Sequence, residues 1–390
     1  MEPVDPRALR PEYQAFLGDR QRVLLTGHSH QAWPDVARAA MLRAFDDAAL
    51  HVDDKWGPAF GAAEAVRAAI AARIGGTTAD EFALAANTHE LVARFLSALN
   101  LKRRPHLVTT SGEFHTIDRQ LHRLAEAGVE VTFVDASEPR TLAERLSAAV
   151  RDDTAAVLVS SVLFQTASAV PGLGQLVAHA RTRGAHALVD AYHAFQVTEL
   201  EAPHPDAFVV GGGYKYAQLG EGVCFLRVPA HLSDDLRPVY TGWFAGFGAL
   251  ASPRTPGEVP YPTRAADRFA GSTYDPVSHY RARAVFAFFE RQGLTPARLR
   301  ATSLRQTARI LAGLEGADGI TVRTPRDDAA RAGFVAVRVD DAAKVVAALR
   351  ARDVFVDARG DTVRLGPAPY LLDDEIDRGV TALREVCACP

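Results

Sequence analysis

"HALVDAYHAFQ" (186–196) and "AFVVGGGYKY" (207–216) decide how this chain is read. Each opens with a short apolar run and ends in residues with chemical capacity: Asp190 and His193 in the first, Lys215 in the second. Unbroken apolar runs suit strands of a parallel sheet buried on both faces. An aspartate at a strand's C-terminal end lies where open α/β sheets place ligands. Asp190 could be catalytic, bind a metal or cap the next element. Lys215 follows a buried strand and three glycines, which puts its stem in the interior and its amine near backbone that a ligand can approach closely. Burial favours the neutral amine that Schiff-base chemistry needs; the other reading is a snorkelling lysine on a loop. The chain has only four lysines. Lys55 in "DDK", Lys102 in "LKRRP" and Lys344 in an alternating charged helix fit surface or loop positions better.

Outward from these two stretches, residues 80–230 alternate short apolar runs with amphipathic segments, the pattern of an α/β layer around a mostly parallel sheet. Strands are expected at 106–111, 129–136, 155–164, 186–193, 207–213 and 222–229. Helices are expected at 116–128, 141–150 and 172–184, two of them closed by glycine. The 237–275 stretch, rich in Gly, Pro and aromatics, loses this pattern. A loop that long is usually functional or covered by a partner. Helices then follow the loop, and "GFVAVRVD", "AAKVVAALRARD" and "VFVDARGDTVRLGPAP" read as a small α+β unit. The expected division is an N-terminal arm over 1–45 packing with the small domain, a large domain over 46–250, and an interface loop with the small domain over 251–390.

Composition narrows the function classes. A formal charge of −3 gives no electrostatic reason for a nucleic-acid or anionic-membrane partner. The "LKRRP" cluster reads as a solvated loop. Three cysteines, Cys224, Cys387 and Cys389, are too few for a disulfide framework and point to a reducing compartment. The first residues do not read as a secretory signal, and no apolar run is long enough to span a bilayer, so a cytoplasmic protein is expected. The histidines show no ligand spacing tied to cysteines, and the terminal "CAC" reads as inert, so no metal is expected.

The segment "NTHELVARFLSALN" (87–100) has Asn87 as N-cap and Glu90 as its capping-box partner, with Leu91, Phe95 and Leu99 as the buried stripe. Its N-terminus could hold a phosphate, although taken alone the segment reads more readily as an ordinary capped helix. Capped helix, Asp190 and Lys215 come in the order that a pyridoxal phosphate site requires: a phosphate cradle, a carboxylate for the pyridine nitrogen, and a lysine for the aldehyde.

"DAYHAFQ…AFVVGGGYKY" resembles the D-x-x-H … Y-K-Y signature of kynureninase, within the class V group of fold-type-I pyridoxal 5′-phosphate enzymes. The resemblance implies a large domain with a seven-stranded, mostly parallel sheet between helices, a smaller α+β C-terminal domain, and a homodimer. It implies that Asp190 pairs with the pyridine nitrogen, His193 supports the ring, and Lys215 carries the Schiff base. Tyr214 would contact the phosphate, Thr88 and His89 would present phosphate donors, Phe114 would stack on the ring, and Ser160 would lie near the phosphate. "GWF" (242–244) implies that Trp243 reaches a cofactor across a dimer interface and that Phe244 lines the substrate pocket. "VRLGPAP" implies that Arg364 clamps the substrate α-carboxylate. Ser29 in "LLTGHSHQAWP" and, more loosely, His51 are pocket candidates. The chain departs from the family at "AGSTYDP", where an asparagine is missing and Thr273 resembles the phosphate threonine of other class V members. It departs again at "FQV", which replaces Gly-Asn. The implied activity is hydrolysis of kynurenine or a relative to an anthranilate and alanine. The alternatives are a class V aminotransferase or lyase on another amino acid, and a non-catalytic binder on the same scaffold.

Overall fold

The computed structural model describes residues 2–18, 21–198, 204–232, 236–253 and 256–388; Cys389 lies outside them. Seven strands form the central sheet, in the spatial order Phe82–Ala85, Cys224–Arg227, Ala207–Gly212, His186–Asp190, Thr154–Ser160, His106–Thr110 and Glu130–Val134. All run parallel except Cys224–Arg227, which is antiparallel to both neighbours. Every residue of Thr154–Ser160 is buried, as expected for a strand covered by helices on both faces. The strands align their C-terminal ends, so Ser160 sits opposite Asp190 and the turns after Thr110 and Gly212 open on the same edge.

Three local differences from the sequence reading have physical causes. The 155–164 run is two strands. After Ser160 the chain turns, Ser161 N–H bonding to the Asp190 carbonyl, and Val162–Leu163 forms a small hairpin with Ser168–Ala169. The strand Phe82–Ala85 carried too short a pattern to stand out. Finally, the helix Val36–His51 runs through the boundary placed at 45/46. Tyr280 O–H donates to the buried Asp47 at 2.8 Å, and the helix Val277–Arg291 packs along both Val36–His51 and Trp56–Ile74. These helices therefore join residues on both sides of the proposed divisions.

The helix Thr88–Ala98 starts at Asn87, whose side chain accepts the Glu90 N–H at 2.9 Å. It buries Leu91, Val92, Phe95 and Leu96 on the sheet, with Phe95 against Phe208; Leu99 is only half-buried at the cap. The C-terminal unit is an antiparallel sheet in the order Thr321–Val322, Val335–Arg338, Thr362–Leu365 and Asp357–Arg359, backed by the helices Ala342–Arg350 and Asp373–Ala388. The N-terminal arm joins this unit through backbone. Val23–Leu24 pairs in parallel with Val354–Phe355, and Gly27 N–H donates to the Gly366 carbonyl at 2.7 Å. No described helix is long and apolar enough to cross a membrane.

Candidate active site

Lys215 lies in the turn after Ala207–Gly212 and is 4% exposed. Its Nζ is 2.8 Å from His193 Nε2 and stands 4.6, 5.2 and 5.7 Å from the ring centres of Tyr192, Phe114 and Tyr214. Burial in this aromatic setting strips the amine of water and lowers its pKa, while the negative charge of Asp190 acts the other way. Asp190 ends its strand and accepts the Tyr192 N–H at 2.7 Å. Burial raises its carboxyl above the ordinary range, opposed by that hydrogen bond and by Lys215. Burial also drives His193 well below its ordinary pKa, which keeps the ring neutral at neutral pH.

The three glycines before Lys215 do something other than admit a ligand. A Cβ on Gly211 would strike the Phe225 ring, one on Gly212 the Tyr192 ring and Cys224, and one on Gly213 the Leu219 side chain. They make room for the protein's own side chains. Gly212 lets Tyr192 lie against the sheet, where its ring supports the Lys215 amine.

The strand ends bring in a residue that sequence reasoning missed. Glu113 is buried, and its carboxyl accepts the Ser160 N–H at 2.8 Å and the Ser160 hydroxyl at 2.7 Å. Burial pushes its pKa up to about 8, against both Ser160 hydrogen bonds and with help from the charge of Asp190. Ser160 thus gives its hydroxyl proton to Glu113 at the C-terminal edge of the sheet. Phe114, next in sequence, sits beside Lys215 and packs edge-on to Phe164.

Tyr214 is half-buried, stacked on His30 at 5.0 Å, and burial pushes its hydroxyl up to about 12. Ser29, beside His30, turns its hydroxyl to the Thr26 carbonyl. Thr88 opens a helix that packs on the strand carrying Cys224, whose sulfur lies 3.7 Å from the Tyr192 hydroxyl. The helix therefore connects to the Lys215 surroundings through Cys224 and Tyr192. His89 is exposed and bonded to Gln120.

Arg364 reaches the same surroundings from the C-terminal sheet. Its Nε donates to Asp357 Oδ1 at 2.9 Å, its Nη2 to Asp357 Oδ2, and its Nη1 to the Phe164 carbonyl at 2.9 Å. His28 Nε2 is 2.6 Å from Asp357 Oδ1. Burial works to raise the Asp357 carboxyl, but His28 and Arg364 overcome it and hold the group far below the usual carboxylate range. Phe334 lies 5.6 Å from the Arg364 guanidinium, with the His28 and His193 rings at 4.8 and 6.2 Å.

The other candidates stand apart. Trp243 donates its indole N–H to Thr273 Oγ1 at 3.2 Å, and Phe244 packs with Trp56, Phe60, Phe247 and Tyr274. This cluster borders a cavity of about 860 Å³ that Lys215 does not line. Trp243 itself is 43% exposed. His51 is exposed at the end of the Val36–His51 helix.

A buried amine with a lowered pKa, a buried carboxyl nearby, flanking aromatic rings and an arginine beyond them fit pyridoxal 5′-phosphate and an amino acid. Comparison with known proteins agrees. Residues 299–383 match the Kynureninase C-terminal domain. A kynureninase from Bacillus anthracis is 26% identical over 315 residues, 77% of this chain and 71% of that protein. An uncharacterized aminotransferase from Bacillus subtilis is 23% identical over 350 residues, 88% and 89% of the two chains. Among solved structures, a cysteine desulfurase from Thermococcus onnurineus superposes with a TM-score of 0.82 at 19% identity, covering all of both chains. A cystine C–S lyase superposes with a TM-score of 0.82 at 17% identity, covering 95% of this chain and 99% of its own. In its C-terminal match, its relatives and its fold, the chain is kynureninase-like and similar to the class V, fold-type-I pyridoxal 5′-phosphate-dependent enzymes.

Proposed function

We propose that the chain hydrolyses the Cβ–Cγ bond of kynurenine or a related aryl-keto amino acid, giving an anthranilate and alanine. One observation carries the reading. Phe334, Asp357 and Arg364, which form the side of the site facing His193 and Lys215, all lie within the residues matching the Kynureninase C-terminal domain.

In this reading Lys215 would hold the cofactor covalently, Asp190 would pair with its ring nitrogen, and Phe114 and His193 would support the ring. Thr88, His89 and Tyr214 serve the phosphate. When bound, pyridoxal 5′-phosphate supplies an aldehyde that condenses with amines and a protonated ring that draws electron density from the substrate. The side chains do the rest. Lys215, whose pKa burial lowers to about 7, takes the proton from the substrate α-carbon. His193 Nε2, 2.8 Å away, can accept a hydrogen bond from the Lys215 amine. Asp190 would pair with the ring nitrogen and favour its protonated form. Tyr214 stays protonated at neutral pH and can donate to a carbonyl oxygen. Arg364 binds the α-carboxylate, and the rings of Phe114, Phe164, His115 and Phe334 exclude water around the aryl side chain. A second copy seated on the face carrying Trp243 would bring Trp243, Phe244 and Thr273 toward its neighbour's site, making a homodimer the working unit.

A second reading, an aminotransferase or lyase on another amino acid, is favoured by the aminotransferase relative that spans most of the chain. Desulfurase chemistry needs a reactive, mobile cysteine. Burial pushes the Cys224 thiol up to about 12, which leaves it protonated and inert. The test is purified holoenzyme with L-kynurenine. Release of anthranilate with return of the starting cofactor absorbance supports hydrolysis. No anthranilate defeats it, and a cofactor left in its amine form identifies a transaminase.

A further inference from the structure

Arg364 has five N–H bonds, and three are engaged. Nε–H and one Nη2–H lie side-on to the two oxygens of Asp357, and one Nη1–H goes to the Phe164 carbonyl. One N–H remains on each terminal nitrogen, the end-on pair of the guanidinium fork, which matches a carboxylate bidentately. Asp357 and Arg364 face each other on paired antiparallel strands. His28 comes from the N-terminal arm, is fully buried, and holds Asp357 Oδ1 at 2.6 Å. Its ring is wedged between Phe334 and the backbone of Gly366, where any added Cβ would collide with His28. Arg359 approaches the other Asp357 oxygen at 3.5 Å.

We propose that His28 and Asp357 are a positioning pair that turns Arg364 end-on to the substrate α-carboxylate and thereby selects amines that carry one. This rests on the reading of Arg364 as the carboxylate-binding residue. An arginine that is 2% exposed without a counter-ion would pay a desolvation penalty and tend to swing toward water. Asp357 fixes the plane of the guanidinium and balances its charge before substrate arrives. His28, whose pKa burial lowers to about 4, is neutral and gives its Nε2–H to Asp357, which stops the carboxylate from rotating. An amine without a carboxylate would leave the end-on N–H pair unpaired in a dry site, and an unmet buried donor discriminates strongly.

The test titrates holoenzyme with L-alanine and with ethylamine, the same skeleton without the carboxylate, following the cofactor's visible absorbance. Asp357→Asn raises the apparent Kd for L-alanine about tenfold, the usual worth of a group that orients a ligand-binding side chain, and leaves ethylamine unchanged. His28→Phe keeps the ring volume and shifts L-alanine in the same direction, so it carries the test even if Asp357→Asn does not fold. Arg364→Ala is the control. If it leaves L-alanine binding unchanged, the underlying reading of Arg364 fails. If it weakens L-alanine while Asp357→Asn and His28→Phe do not, or if they tighten it, the positioning proposal is overturned and Arg364 stands. Equal weakening of both probes also overturns it, because a general collapse does not single out the carboxylate.

Discussion

Glu113→Gln should change how stability depends on pH, and the structure sets the size of the effect. The Glu113 carboxyl is raised from 4.5 to about 8, first by burial and then by the charges of Asp190 and Asp118, against two hydrogen bonds from Ser160. Between those values the folded chain holds a proton that the unfolded chain has released. Stability therefore falls as pH rises across that window and levels off above it. At about 1.4 kcal/mol per pH unit, the loss is on the order of 5 kcal/mol by pH 8. Glutamine fits the same place: its carbonyl accepts the Ser160 N–H and its amide donates to the Ser160 oxygen. It does not titrate, so Glu113→Gln should lack this fall and be the more stable protein at pH 8. The assay is urea denaturation of both cofactor-free proteins at pH 5 and pH 8, with the difference between them isolating Glu113. If both lose equal stability over that range, Glu113 is ionised throughout and the account of its burial is wrong.

Three further outcomes follow from particular contacts. Gly212→Ala drives a methyl into the Tyr192 ring and Cys224, which should cost about 1–3 kcal/mol and shift the cofactor absorbance by moving the ring beside Lys215; thermal melts and spectra check this. Asp190→Asn should lower kcat about 10²–10³-fold by removing the charge aimed at the ring nitrogen, while Lys215 still captures the cofactor. Trp243→Ala should lower activity with little change in the urea midpoint, since Trp243 is 43% exposed in the single chain; sedimentation of wild type and variant reports whether the same face joins two copies.

The sheet was legible because buried parallel strands are written as apolar runs and their helices as amphipathic ones. Asp190 and Lys215 were legible because each directly follows such a run. What escaped was set by contacts between distant residues. Glu113 meets Ser160 across 47 positions, and His28 meets Asp357 across 329; nothing local to either residue marks the partner. The packing demand on the glycines of "GGGYKY" escaped for the same reason. Their need for space comes from Tyr192, Phe225 and Leu219, which only the folded chain places against them. The Val36–His51 helix was cut at 45/46 because its packing partner, Val277–Arg291, lies far along the chain.

The account turns on a single amine. Holoenzyme reduced with borohydride, digested and analysed by mass spectrometry should carry the pyridoxyl group on Lys215 and on none of Lys55, Lys102 or Lys344. A label on one of those three, or protein that takes up no label in the presence of the cofactor, would contradict it.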